Sequence, residues 1–558
     1  MTAMRDIDDY APKGNRRGKR SGTELFSVLA WSVALACILP MVAVALAAVG
    51  GGTETIQHLA DTVLPRYALT TFGLVALVSV GTLGIGVGAA WLVTMTRFPG
   101  VRFFEIALVL PLAFPAYVLA YAYTFILDHP GIVQSTLRQV TGWGPRDYWF
   151  PEIRSLGGAA AMLVLVLYPY VYLLARAAFL QQSGGAFLAA RALGKNAFQA
   201  FWLVSLPMAR PAIASGVLLA VMETIADFGT VSYFGVQTFA TGIYTSWFSM
   251  ADRSAAAQLA LCLLAFALIL AVVERSTRGK ARYHQAGKQH AAMPPAALAG
   301  WQAAGAWVLC AVPVCFGFLL PVLILFNMGL QSEQDLLSRR YIAFLQNSLT
   351  LATLAAMLTV FGAVCLGFYQ RLRPGRPSSA AAYMSRLGYA VPGGVIAVGL
   401  MVPFAAFDNA LDAWMRANFE IRTGLLISGS IWLLVAAYMV RFLAAALGAY
   451  ESGQSTVHAN MDSAARSLGQ GPLGMLRRVH LPMLTPSLLT ALLIVFVDVM
   501  KELPATLIMR PFNYDTLAVQ AYRLASDERL EGAAVPSLVI VAIGLLPVIL
   551  ICRQVGRR

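Results

Sequence analysis

Four acidic residues lie where the chain is otherwise apolar: Glu223, Asp227, Asp498 and Glu502. A charge at the centre of a bilayer costs on the order of 3 kcal/mol or more, so carboxylates within an apolar run mark a functional path by default. Each pair is spaced by four residues, which puts both members on one face if the run is helical. Counting from Pro211 at 1.5 Å per residue, Glu223 lies about 18 Å along, near mid-membrane, with Asp227 about one turn beyond. Four carboxylates on a shared path favour cations, and hard multivalent ions that prefer oxygen ligands most of all. On that reading the four acids are transient metal ligands, and Lys501 lies on the same path. The competing reading is local neutralisation, with Lys501 beside Glu502 as one partner and Arg510 as another.

The elements that carry these acids are membrane helices. Of the 558 residues, 58% are hydrophobic and 12% charged, far outside the range of soluble globular chains. Apolar runs long enough to cross the hydrocarbon core fall at 25–49, 69–95, 103–127, 156–181, 208–235 and 257–273, then at 303–327, 346–369, 384–407, 424–447, 484–508 and 533–552. The expected fold is all-α and polytopic, with about twelve transmembrane helices in a lipid bilayer.

A net charge of +14 raises the question of nucleic acid, and the distribution of the basic residues answers it. They gather in the N-terminal tail and in every second loop: Arg16, Arg17, Lys19 and Arg20; Arg97 and Arg102; Arg275, Arg278, Lys280 and Arg282; Arg371, Arg373 and Arg376; Arg553, Arg557 and Arg558. The opposite loops hold most of the acids, among them Asp408, Asp412, Asp527, Glu528 and Glu531. This positive-inside asymmetry predicts an inner-membrane protein with both termini in the cytosol and no nucleic-acid partner. The first apolar run is too long for a signal-peptide core and is expected to be retained. Cys37, Cys262, Cys310, Cys315, Cys365 and Cys552 form no C-x-x-C pair and read as buried small hydrophobes. Tyr117, Tyr121, Tyr123, Tyr168, Tyr170 and Tyr172 read as packing or interface anchors, and Gly81, Gly84 and Gly88 as a close-packing stripe.

The chain is internally duplicated. At an offset of 275 residues, Ala192-Leu193-Gly194 meets Ser467-Leu468-Gly469, Leu206-Pro207-Met208 meets Leu481-Pro482-Met483, and Glu223 and Asp227 meet Asp498 and Glu502. At 277, Pro115 meets Pro392. Six spans per half make the repeats parallel about an axis normal to the membrane. The expected layout is a cytosolic tail over 1–24, a first six-helix repeat over 25–275, a cytosolic linker over 276–302 and a second repeat over 303–558.

Between the fourth and fifth spans of each half, a long loop carries a Gly followed thirteen residues later by Pro: Gly194 to Pro207 and Gly469 to Pro482. An Ala-rich stretch before each Gly predicts a short surface helix that the Gly ends, with Leu-Pro starting the next span. Gly194-Lys195 is not a phosphate loop, because Asn196 replaces the required Ser or Thr; energy must come from a partner.

These loops resemble the signature of membrane subunits of ATP-binding-cassette importers, Glu-Ala-Ala followed by a Gly and then Ile-x-Leu-Pro. The first loop matches through Ala189, Ala190, Arg191, Gly194, Val204, Leu206 and Pro207, the second through Ala464, Ala465, Arg466, Gly469, Val479, Leu481 and Pro482. Both depart at the Glu position, which is Leu188 in one and Ser463 in the other. Three further segments are similar to ferric-iron permeases: Pro111 to Tyr121, Glu223 to Gly235, and Lys501 to Leu507 with Arg510 to Ala518. The resemblance implies a type I importer fold, two copies of a cytosolic ATPase holding ATP and Mg, a periplasmic ferric-ion-binding protein, ferric iron as substrate and no cofactor on this chain. Relatives of the same fused layout carry thiamine or aminoethylphosphonate, which stay open as substrates. An ion-coupled secondary transporter also uses duplicated halves and buried acids, but has no need of matched docking loops. A membrane-embedded enzyme would need a compact catalytic cluster, and the six histidines are scattered with no H-E-x-x-H.

Overall fold

The computed structural model describes residues 16–277 and 296–555, apart from 183, 333, 336 and 337. Residues 1–15 of the tail expected over 1–24 and most of the expected linker, 278–295, lie outside the described residues, as do Arg278, Lys280, Arg282, Arg557 and Arg558; from Arg16 the chain is already helical. Among the described residues, eleven helices are long and apolar enough to cross a membrane, and a bent pair makes the twelfth span if counted as one. In that pair, Val101–Ala113 and Ala116–Thr141 meet at 92°. The cause is local. Phe114, which precedes Pro115, is extended at ψ 133°, because a proline excludes the helical conformation from the residue before it. Hydropathy alone had predicted an unbroken span over 103–127.

Three of the long helices contain a widened π turn immediately before a Leu-Pro pair. Phe201–Ser205 precedes Leu206-Pro207, Cys315–Leu319 precedes Leu320-Pro321, and Leu476–His480 precedes Leu481-Pro482. In each, the Leu amide donates five residues back, to the carbonyl of Phe201, Cys315 or Leu476. A proline inside a helix lacks an N–H and collides with the carbonyl four residues earlier; widening the preceding turn relieves that conflict without ending the helix. Leu206-Pro207 and Leu481-Pro482 therefore sit within the runs Phe198–Ala226 and Pro472–Met500 rather than at their starts.

Two packed units draw segments from both halves of the sequence: the described residues within 1–40, 351–389 and 435–499 form one, and those within 41–350, 390–434 and 500–558 the other. In the first unit, the N-terminal helix packs on second-half residues. Phe26 meets Phe368 edge-on at 4.9 Å, and Val33 lies against Gly362. In the second unit the reverse holds, since the first span of the second half, Trp301–Gln331, packs on first-half residues. Phe104 meets Trp307 at 5.5 Å, Phe114 meets Phe318 at 5.7 Å, and the Tyr123 hydroxyl donates to the Phe316 carbonyl at 2.6 Å. Each half's first helix thus reaches residues of the other half, although Leu320–Gln331 also packs on Leu530–Val555 of its own half.

Within the second unit, Leu64–Met95 and Leu156–Gln181 pack closely over glycines, but not over the whole predicted stripe. A Cβ on Gly81 would meet Val164 at 2.5 Å, whereas Gly84 and Gly88 face open space. Gly86 is the second contact point: a Cβ there would lie 2.7 Å from the Val171 side chain and 3.0 Å from the Tyr168 carbonyl. Tyr117, Tyr121, Tyr123, Tyr168 and Tyr172 are buried, as their reading as packing residues expects. Cys37, Cys310 and Cys365 are buried, Cys262 is half-buried, and the side chain of Cys552 lies outside the described residues. Cys315 departs from the expectation: it is exposed, on the outward side of its π turn with Phe316 and Leu319.

Asp408 and Asp412, read from sequence as loop acids, lie inside the Gly393–Phe419 helix. Asp408 accepts from the amides of Ile427 and Ser428 and from the Ser428 hydroxyl; Asp412 accepts from the amides of Thr423 and Gly424. Their four-residue spacing aligns two clasps for the returning chain, and these hydrogen bonds replace water around the carboxylates.

Candidate functional site

The predicted spans 208–235 and 484–508 both stop early, at Ala226 and Met500. Glu223 and Asp498 remain within these helices, half-buried, but Asp227 and Glu502 lie beyond their ends. Asp227 is extended at φ −68°, ψ 127°, and its carboxylate accepts from the Thr230 amide at 3.1 Å, the Val231 amide at 3.2 Å and the Thr230 hydroxyl at 2.9 Å. Glu502 accepts from the Ala505 amide at 2.9 Å, the Thr506 amide at 3.1 Å and the Thr506 hydroxyl at 2.7 Å. These amides open the short helices Gly229–Tyr233 and Pro504–Met509, whose first N–H groups have no partner of their own. The expectation that each acidic pair shares one helix face is therefore corrected. Hydropathy could not find the break, because the residues beyond it, such as Phe228, Val231 and Phe234, are as apolar as the span.

The two breaks lie side by side. A Cβ on Gly229 would meet Tyr117 at 2.8 Å and Leu503 at 3.0 Å, so only glycine lets these chains approach. The Tyr117 hydroxyl donates to the Lys501 carbonyl at 3.4 Å, and the Tyr244 hydroxyl donates to the Pro504 carbonyl. Phe228 stacks on Tyr244 with centroids 3.7 Å apart and lies 5.6 Å from Tyr522, whose hydroxyl hydrogen-bonds that of Ser232 at 2.9 Å. Tyr244 and Phe228 were missed in the sequence; nothing in their spacing separates them from packing aromatics. Arg510 does not neutralise Glu502 but pairs with Asp515, which Arg523 also contacts at 3.1 Å. Among the described residues, no group of three or more His, Cys, Asp or Glu is placed to hold a metal ion. Of the four acids, Asp227 and Glu502 are turned into helix caps.

The matched loops fold alike. Gly184–Ala192 and Ala459–Ser467 are short helices, as predicted, and Gly194 and Gly469 follow them in the left-handed region at φ 81° and 78°. Lys195 N–H donates to Ala190 and Gly194 N–H to Arg191; Gln470 donates to Ala465 and Gly469 to Arg466. Both are complete Schellman caps, the reason for glycine at that position. Ala189, Arg191, Ala464 and Arg466 are exposed, Ala190 is half-buried and Ala465 buried. Just before each glycine an apolar side chain stands in solvent, Leu193 at 82% and Leu468 at 79% exposure. At the departed Glu position, Leu188 is also exposed.

Sequence reasoning missed what anchors the second loop. Asp462, on Ala459–Ser467, accepts from Arg371 Nε at 2.7 Å and faces His480 Nε2 at 2.9 Å. Burial pushes the Asp462 carboxyl up, but Arg371 and His480 outweigh burial and hold it below its ordinary value of 3.8.

The model of the family described as binding-protein-dependent transport system inner membrane component matches residues 82–278 and again 359–558. The chain belongs to that family. It carries the family's unit twice, and the first helix of each half precedes that half's matched stretch. This permease is a multi-pass membrane transport subunit. It is 26% identical to a Haemophilus influenzae protein named as an Fe(3+)-transport system permease, over 93% of this chain and 96% of the relative. It is 24% identical to a probable ABC transporter permease of Sinorhizobium fredii, over 95% of each chain. A putative 2-aminoethylphosphonate transport system permease of Salmonella typhimurium is 32% identical over 22% of this chain and 45% of its own length.

Proposed function

We propose that this permease forms the membrane path of an ATP-driven, binding-protein-dependent importer that carries ferric iron from periplasm to cytosol. The observation that carries the importer reading is the pair of Schellman-capped docking loops, each presenting one exposed leucine at the same repeat position. Two like surfaces suit two copies of a cytosolic ATPase, which would hold ATP and Mg. A periplasmic ferric-ion-binding protein would deliver the substrate to the opposite face, with both termini in the cytosol and the boundary between repeats in the linker 276–302. Iron is supported by the ferric permease relative that runs nearly the full length. Aminoethylphosphonate is the second reading, favoured by the higher identity of the shorter match. Thiamine import would use the same machine, and an ion-coupled secondary transporter would run without the ATPase.

ATP binding would draw the docking helices together and open the path outward, and hydrolysis would reset it. Glu223 and Asp498 are the acids left within the spans to guide a cation, while Asp227, Glu502 and Lys501 hold the turn beside the path. The test is ATP-dependent uptake of radiolabelled ferric iron by the reconstituted complex, with aminoethylphosphonate and thiamine as competitors. Glu223→Gln with Asp498→Asn should lower iron uptake by about tenfold, on the scale of one lost charge interaction of roughly 1.4 kcal/mol. Unchanged uptake at normal expression would remove the acids from the path, and uptake without ATP would favour the secondary transporter.

A further inference from the structure

The two docking loops end in the same cap but are tied to their spans by different chemistry. At the 275-residue offset, Asp462 corresponds to Phe187, and His480 to Ser205. In the first half, Phe187 lies 6.0 Å from Trp91, whose ring also meets Phe201 at 4.3 Å and Phe179 at 5.8 Å. Such contacts are non-directional and let rings slide while staying buried. In the second half, one carboxylate joins three elements. Arg371 sits in the last turn of Arg339–Leu372, Asp462 on the docking helix, and His480 in the π turn that leads into Leu481–Met500. Arg371 Nη2 further donates to the Val457 carbonyl at 2.8 Å, just ahead of the docking helix. Asp462 is 5% exposed and His480 fully buried. The His480 Nδ1 finds no hydrogen-bond partner among the described residues, leaving Asp462 as the polar contact the ring makes there.

We propose that Asp462 is a positioning residue of the transport cycle: it locks the second docking helix to two spans at once, so the second half follows the ATPase rigidly while the first half follows through a compliant aromatic contact. The proposal rests on the reading that these loops dock an ATPase. Charge-assisted hydrogen bonds fix direction as well as distance, and a carboxylate with two partners on different helices transmits both rotation and translation. Leu481–Met500 carries this motion to Asp498 and to the break capped by Glu502.

The experiment compares transport with hydrolysis in the full complex, reconstituted in proteoliposomes with its ATPase and with ferric iron supplied on its binding protein. Asp462→Asn should lower the iron moved per ATP hydrolysed by about tenfold while ATPase co-purification persists. Asp462→Glu, which keeps the carboxylate, should recover most of the ratio, and Trp91→Leu in the first half should change it less than about twofold. A ratio for Asp462→Asn within about twofold of the unsubstituted chain overturns the proposal. If that variant does not accumulate, His480→Gln is read against the same thresholds. Failure of the unsubstituted chain to bind any ATPase strikes instead at the docking reading, and the proposal falls with it.

Discussion

Asp227 and Glu502, 275 positions apart in the chain, accept hydrogen bonds from the same two backbone positions of the short helix that follows each of them. The repeat aligns Thr230 with Ala505 and Val231 with Thr506, and the geometry repeats although Asp has become Glu. The longer side chain reaches the same amides, and its hydroxyl partner moves by one residue, from Thr230 to Thr506. What is retained is the cap, which lets a membrane helix end in the middle of an apolar run.

Removing either cap should loosen the break. Asp227→Ala and Glu502→Ala should each cost about 1–2 kcal/mol, the usual range for a lost helix cap, with more where the freed amides stay buried. Thermal unfolding of the purified permease in detergent measures this, and a midpoint unchanged in both variants would show that the carboxylates are not needed as caps.

The glycines that close the docking helices are held at φ 81° and 78°, where a side chain costs about 1–2 kcal/mol. Gly194→Ala and Gly469→Ala should therefore weaken ATPase binding while leaving the spans folded. Pull-down of the ATPase against a helicity control reads the difference, and full binding by the double variant would contradict it.

Acid should release the second docking loop before the first. The folded-state pKa of Asp462 is depressed, so its contribution is present above the ordinary value of 3.8 and is lost as the pH falls through the lower folded value. Hydrogen exchange over 459–480 should show protection that is steady above about pH 4 and declines below it, while 184–205, held by aromatic rings, shows no such step. Parallel loss in both loops would refute the assignment.

Close packing of Leu64–Met95 depends on Gly81 and Gly86 rather than on Gly84 and Gly88. Gly86→Ala forces a carbon to within 2.7 Å of Val171, and overpacking of this kind costs about 1–3 kcal/mol. Gly84→Ala and Gly88→Ala face open space and should be neutral or slightly stabilising, since alanine favours the helix by up to about 1 kcal/mol. Thermal melts of the three single variants decide the point.

The sequence by itself determined the class, the duplication and the matched helix-glycine loops. Span length follows from bilayer thickness, a 275-residue self-match needs no coordinates, and a glycine after an Ala-rich stretch fixes a helix end because a left-handed cap admits little else. It also picked out Glu223, Asp227, Asp498 and Glu502, because charge in an apolar run is visible as composition. Only the tertiary structure decided what those acids do. Whether a carboxylate four residues on stays on its helix or leaves to cap the next depends on amides freed by the break, and that break is invisible to hydropathy when both sides are equally apolar. The contacts of each first helix with the other half and the Arg371–Asp462–His480 anchor were hidden for a related reason. Their partners are distant in the chain and carry no shared spacing, so only packing brings them together.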